Sequence, residues 1–313
     1  MARNAVHGCR LARAYRPVWN SRHPGCGFVS SLPSHARRYR AKLLNVDARS
    51  ALFDLYGDHL RARGGQAPVA ALVRLLGPLG ITAPAVRTAV SRMAKQGWLN
   101  PVRLPSGAGY ALTPRAIHRL DEAAERIYRR DNGRWDGRWQ VVVVQRVTER
   151  ARRDRLRAAL GYLGYAPLTD TTWLGPHASA ELDALLQAER VRADRFTATY
   201  DGDQLGLLAR VWDLDGLAHA YRRWLRVAAD IVAPATAGAP DDVVFATRSR
   251  LVHEWRKFLF ADPGLPAELL PADWPGFEAA ALFDRESARL LPAAARFVDC
   301  CLQPGDQGSP PGK

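Results

Sequence analysis

The chain has 313 residues, of which 47% are hydrophobic and 24% charged, which allows two or three domains with real cores. Arg, Asp, Gly or Pro interrupts every long apolar stretch, so no run nears the roughly 20 residues that cross a bilayer as a helix, and no membrane span is expected. The net charge of +14 is uneven: residues 1–45 carry +9, residues 46–130 carry +7 and the remainder −2, so any polyanion-binding face belongs to one short region.

Residues 1–45 contain eight Arg, one Lys and no acid, and are punctuated by Pro24, Gly25, Gly27 and Pro33. This composition is transit-peptide-like, but it has neither a clear amphipathic helix nor a secretory apolar core. The expectation is a disordered extension or an upstream start-codon assignment. Cys9, Cys26, Cys300 and Cys301 fall in the two expected tails without a CxxC pair. No disulfide framework, structural metal or cofactor follows from them, and a reducing cytoplasm fits.

From Asp47 the pattern is helical: Leu52, Leu55, Tyr56 and His59 or Leu60 recur at three- and four-residue spacing until Gly64 and Gly65. A second helix opens at Pro68, buries Leu72, Leu75 and Leu76, and ends in the Gly77, Pro78 and Gly80 turn. Thr82 is suited to cap a third helix reaching Met93 or Gln96, with Pro84 in its first turn. Trp98–Leu104 then reads as a strand, Pro105–Gly109 as a turn and Tyr110–Leu112 as the returning strand. Thr113 and Pro114 open an exit helix running to about Arg130. Three helices, a hairpin and an exit helix make a winged helix-turn-helix over residues 46–130.

Residues 131–138, DNGRWDGR, read as a linker. Beyond it, strand Trp139–Val144, helix Glu149–Leu163, strand Thr171–Leu174, helix Ala178–Ala188 and strands Phe196–Tyr200 and Leu205–Val211 predict a ferredoxin-like α+β domain over 139–211. Three further helices, Asp213–Val232, Asp241–Phe260 and Phe277–Leu302, predict a helical effector or dimerisation domain over 212–302. Residues 303–313 read as a solvated, disordered tail. The fold class is multidomain α+β.

A helix that reads DNA needs an apolar side that fixes it and a polar side that enters the major groove. The third helix has both: Val86, Val90 and Met93 form one stripe, and Arg87, Thr88, Ser91, Arg92 and Lys95 fall mostly opposite. Arg87 and Arg92 suit guanine edges or phosphates, Thr88 and Ser91 suit bases or backbone, and Lys95 suits phosphate. The hairpin offers Arg103 beside its Ser106–Gly109 tip. A charged helix face is also commonly just solvated, and the +7 local charge and the adjoining hairpin are what favour DNA.

The run AVRTAVSRMAKQGWL (Ala85–Leu99), then YALTPRA (Tyr110–Ala116), and above all HEWRKFLFADPGLPAELLPADWPG (His253–Gly276) resemble the PaaX family of repressors over roughly residues 46–299. The resemblance implies a homodimeric repressor of an aromatic-acid (phenylacetate-type) catabolic operon, bound to double-stranded operator DNA and released by an aryl-acetyl coenzyme A thioester such as phenylacetyl-CoA. An acyl-CoA site needs cations beside an apolar slot. His253, Arg256 and Lys257 lie near Trp255 and Phe258, and Arg222, Arg223 and Trp224 form a second cluster. The competing reading makes the aromatics core and pairs Arg256 with Glu254 or Asp262.

Enzyme signatures are missing. The strand VVVV runs into Gln145 and Arg146 where a metal-dependent nuclease of this fold needs a carboxylate. There is no GxSxG elbow and no P-loop, and HEWRK carries Lys257 where a zinc helix has its second His. The alternative to a repressor is an enzyme or adaptor whose winged helix contacts protein.

Overall fold

A computed structural model describes residues 46–128 and 135–303; the expectations for residues 1–45, for the first half of the linker and for the last ten residues lie outside these ranges. Asp47 starts the first helix, α1 (Ala48–Leu55), by accepting from the backbone N–H groups of Arg49 and Ser50 at 3.0 and 3.1 Å. The Ser50 hydroxyl bonds the same carboxylate and holds it below the usual Asp range. The helix then widens into a π-helical turn, Tyr56–Leu60, and tightens into a 3-10 turn, Arg61–Arg63, before Gly64 stops it at φ 86°.

A short strand that the periodicity does not announce, β1 (Gln66–Pro68), precedes α2 (Val69–Leu76). The turn through Gly80 leads into α3 (Ala83–Lys95), with Pro84 in its first turn as expected. Thr82 occupies the cap position, but its side chain makes no capping bond, which corrects its expected role. The hairpin is β2 (Leu99–Leu104) and β3 (Gly107–Leu112), joined through Pro105 and Ser106 with Leu104 opposite Gly107. The returning strand therefore begins three residues earlier than the sequence suggests, because Gly107 takes φ 112° and the turn needs only two residues. β3 also pairs with β1, giving the antiparallel order β1-β3-β2. Gly109 is obligatory there, since a Cβ would lie 2.7 Å from the Ala67 carbonyl oxygen. The exit helix α4 (Pro114–Tyr128) is capped by Thr113, whose hydroxyl accepts from Ala116 N at 3.2 Å.

The central unit runs β4 (Trp139–Val144), α5 (Arg150–Tyr162), β5 (Ala166–Pro167), β6 (Thr172–Gly175), α6 (Leu182–Ala188) and β7 (Ala193–Ala198). Its sheet is antiparallel in the order β5-β6-β4-β7. This β-α-β-β-α-β order is the ferredoxin-like one, reached by a different set of strands from that expected. β5 is too short to read from sequence, and β7 starts three residues early. Leu205–Val211 is not a strand but lies in a helix, α7 (Gln204–Val211). Leu207 and Leu208 are both buried, Gln204 and Val211 half-buried, and Leu205 is 71% exposed, a period of 3.6 and not of 2.

The C-terminal part is helical, as expected: α8 (Leu214–Val232), α9 (Asp241–Trp255) with a 3-10 turn at Arg256–Phe260, and α10 (Pro275–Leu302). Tyr221, Trp224, Phe258, Trp274 and Phe283 knit the three helices, with Tyr221 stacked on Phe258 at 4.1 Å. Phe245 of α9 and Ala294, Val298 and Cys301 of α10 join a different core, shared with Leu52, Leu72, Leu76 and Val90 of the N-terminal helices. Cys301 is thus a buried core residue and not part of a tail. Among the described residues, no helix is long and apolar enough to cross a membrane.

Candidate nucleic-acid interface

Val86, Ala89, Val90 and Met93 of α3 are buried against the N-terminal core. Burying an aliphatic side chain of this size contributes about 1.5–3 kcal/mol, so this face is fixed. Arg87, Thr88, Ser91, Arg92 and Lys95 are all exposed on the other side, as is Arg103 on β2. The structure brings the helix residues onto one arc that none of the other described residues covers. The tip of the hairpin, Pro105 to Ala108, is also exposed.

Charge pairing separates this arc from an ordinary solvated face. Elsewhere in the N-terminal region the arginines are engaged: Arg61 with Asp121, Arg63 with Asp299 at 2.7 Å and Arg74 with the Cys301 carbonyl at 2.5 Å. Arg115 lies 4.4 Å over the Trp98 ring and Arg119 4.2 Å over Tyr162. Among the described residues, no ion pair or hydrogen bond is formed by the side chains of Arg87, Arg92, Lys95 or Arg103. These four cations have their full valence available for phosphate or base edges.

The C-terminal cations singled out in the sequence are placed differently. His253 Nδ1 lies 2.8 Å from Asp54 Oδ2, and Arg256 pairs with the same carboxylate. Lys257 donates to Glu254 at 2.5 Å. His253 and Arg256 therefore face α1 and not an open slot, and Arg256 finds its partner in Asp54 and not in Glu254 or Asp262. Burial pushes the His253 imidazole below its usual range. Trp255 and Phe258 belong to the helical core, as the competing reading expects.

Four residues sharpen this joint, Asp54, Asp58, His59 and Arg248, of which the helical periodicity brought forward only His59, and that as a core position. Asp58 pairs with Arg248 of α9 where both side chains are nearly dry, 10% and 5% exposed. Loss of solvent lowers the Arg248 guanidinium to about 10, still charged at neutral pH. His59 Nε2 sits 3.1 Å from Asp58, whose charge Arg248 already takes up. Burial dominates there and pushes the imidazole down to about 3, so it is neutral. The available signal was the pair of carboxylates at i and i+4, Asp54 in α1 and Asp58 in the π-helical turn that continues it, set into one apolar run; only long-range folding supplies their partners.

Comparison with known proteins assigns each part. The family models for the "PaaX-like protein", the "PaaX protein central Cas2-like domain" and the "PaaX-like protein C-terminal domain" match residues 47–116, 132–206 and 212–300. The chain is 30% identical over 265 residues to the transcriptional repressor PaaX of Escherichia coli (strain K12), covering 81% of this chain and 83% of that protein. Among solved structures, it resembles the uncharacterized protein Rv0674 from Mycobacterium tuberculosis with a TM-score of 0.56 and 28% identity, over 81% of this chain and 98% of that one. With all three of its parts matched in order and a relative aligned over most of its length, the chain belongs to the PaaX family.

Proposed function

We propose that this chain is a DNA-binding transcriptional repressor whose residues 46–128 act as a winged helix-turn-helix. α3 enters the major groove and the β2-β3 hairpin serves as the wing. The observation that carries the reading is the exposed arc of α3, on which Arg87, Arg92 and Lys95 project beside Thr88 and Ser91 without counter-ions among the described residues. A relative named as a transcriptional repressor supports the same role.

Arg87 and Arg92 are assigned to base edges, Lys95 and Arg103 to phosphates, and Thr88 and Ser91 to either. A homodimer sets two copies of α3 about 34 Å apart, or a multiple of that, and reads an inverted repeat. By family resemblance, the regulated operon degrades an aromatic acid of the phenylacetate type, and an aryl-acetyl-CoA thioester releases the repressor.

The test is a gel shift on the DNA upstream of the protein's own gene, at moderate salt, with and without phenylacetyl-CoA. A sequence-selective complex that dissociates on adding the thioester is expected. Absence of any selective complex would instead favour a winged helix that contacts protein.

A further inference from the structure

The C-terminal cations offer no open slot, but a cleft of about 220 Å³ lies between α5, the β5-β6 edge, Trp212 and the segment following α9. A dry cavity of roughly 150 Å³ accepts benzene, so there is room for one aromatic ring on a short linker. Trp173, Trp212 and Phe260 supply aromatic walls, and Phe260 keeps 66% of its surface exposed at the rim. Trp173 and Trp212 turn their Nε1–H groups away from the accessible space, so they offer the cleft ring surface and not a donor. Gly164, at φ 85°, lets α5 end against Pro263, whose carbonyl oxygen would lie 2.7 Å from any Cβ there.

The mouth of this cleft is cationic. Arg150, Arg153, Arg157 and Gly161 lie at i, i+3, i+7 and i+11 on α5, so they share one face. Arg157 and Gly161 line the cleft, and the arginines lead away from it for about 10 Å at 1.5 Å per residue. On the flank of the helix, Arg152 and Arg155 are tied to the Glu189 carbonyl and carboxylate. Among the described residues, Arg153 and Arg157 have no such partner, and both are exposed. Arg150, at the far end, pairs with Asp154 at 3.8 Å, so the aromatic slot opens onto two arginines, Arg157 and Arg153, that match a ligand with an apolar ring at one end and phosphates at the other.

We propose that this cleft binds an aryl-acyl group whose phosphate-bearing tail runs outward along Arg157 and Arg153. The proposal rests on the thioester-effector reading above and gives that effector its place. Phe260 closes the 3-10 turn whose first residue, Arg256, grips Asp54 of α1, and it meets Tyr162 at 5.6 Å. The rim of the cleft is therefore four residues from the joint to the DNA-binding region.

The experiment is calorimetric titration of the full chain with phenylacetyl-CoA, phenylacetate and coenzyme A, repeated on Gly161→Leu and Arg157→Glu. A Cβ at Gly161 meets no atom within 4 Å, and Arg157 is exposed, so both variants are compatible with folding, which melting temperatures check. The expected result is a preference of the native chain for the intact thioester over either half, with at least tenfold weaker binding in both variants. Native-like thioester binding in both variants overturns the cleft and leaves the effector reading standing. No binding of any of the three probes by the native chain overturns both.

Discussion

Single residues divide here by whether their charge is already spoken for. Among the described residues Arg87 and Arg92 have no partner, and both are exposed, so if they read bases as proposed, Arg87→Ala and Arg92→Ala should each cost about 1–3 kcal/mol of operator affinity and relax discrimination at one base pair, as a gel shift against mutated half-sites would show. Arg103→Ala should instead weaken all sequences alike and lower the slope of log affinity against log salt by about one, since a phosphate contact carries no sequence information. Asp58 sits at the opposite extreme. Asp58→Ala leaves Arg248 buried without its counter-charge, and urea unfolding should record a loss of about 3–5 kcal/mol. Replacing both partners together, Asp58→Leu with Arg248→Met, should recover most of that loss, because the dry pair itself stabilises little beyond an apolar contact.

At the scale of elements, the π-helical turn Tyr56–Leu60 carries Asp58 and His59 into the joint with α9, while Tyr56 donates its hydroxyl to the Tyr110 carbonyl at 3.0 Å. His59 has its folded pKa pushed down to about 3 from an ordinary 6.5, so below pH 6.5 the unfolded chain takes up a proton that the folded one refuses. Stability should therefore fall as the pH drops from 6.5 towards 3, by on the order of 1 kcal/mol per unit at the steepest, and His59→Gln should flatten that fall in melting curves between pH 7 and 5. The α3 stripe was legible because Val86, Val90 and Met93 repeat at helical spacing and Gly80 and Gly97 punctuate both ends. The Leu205–Val211 run was not, because seven residues rich in Leu and Val fit a strand or a helix, and only the adjacent burial of Leu207 and Leu208 decides. The partners of Asp54 were equally hidden: His253 and Arg256 lie some two hundred positions away, and no local pattern carries such a pairing.

On the scale of the molecule, the N-terminal core is not closed by the N-terminal sequence. Ala294, Val298 and Cys301 of α10, with Phe245 of α9, fill it alongside Leu52, Leu72 and Val90, while Arg63 and Arg74 reach across to Asp299 and the Cys301 carbonyl. A chain truncated after Pro292 should expose this apolar surface and lose specific operator binding, and its N-terminal amides should lose hydrogen-exchange protection relative to the full chain. Synthesis order gives the same contact a temporal meaning. The ribosome makes α1 to α3 first and the residues that complete their core last, so a nascent or prematurely terminated polypeptide emerges without a finished DNA reader. On the proposed function, only a chain translated through α10 can compete for the operator.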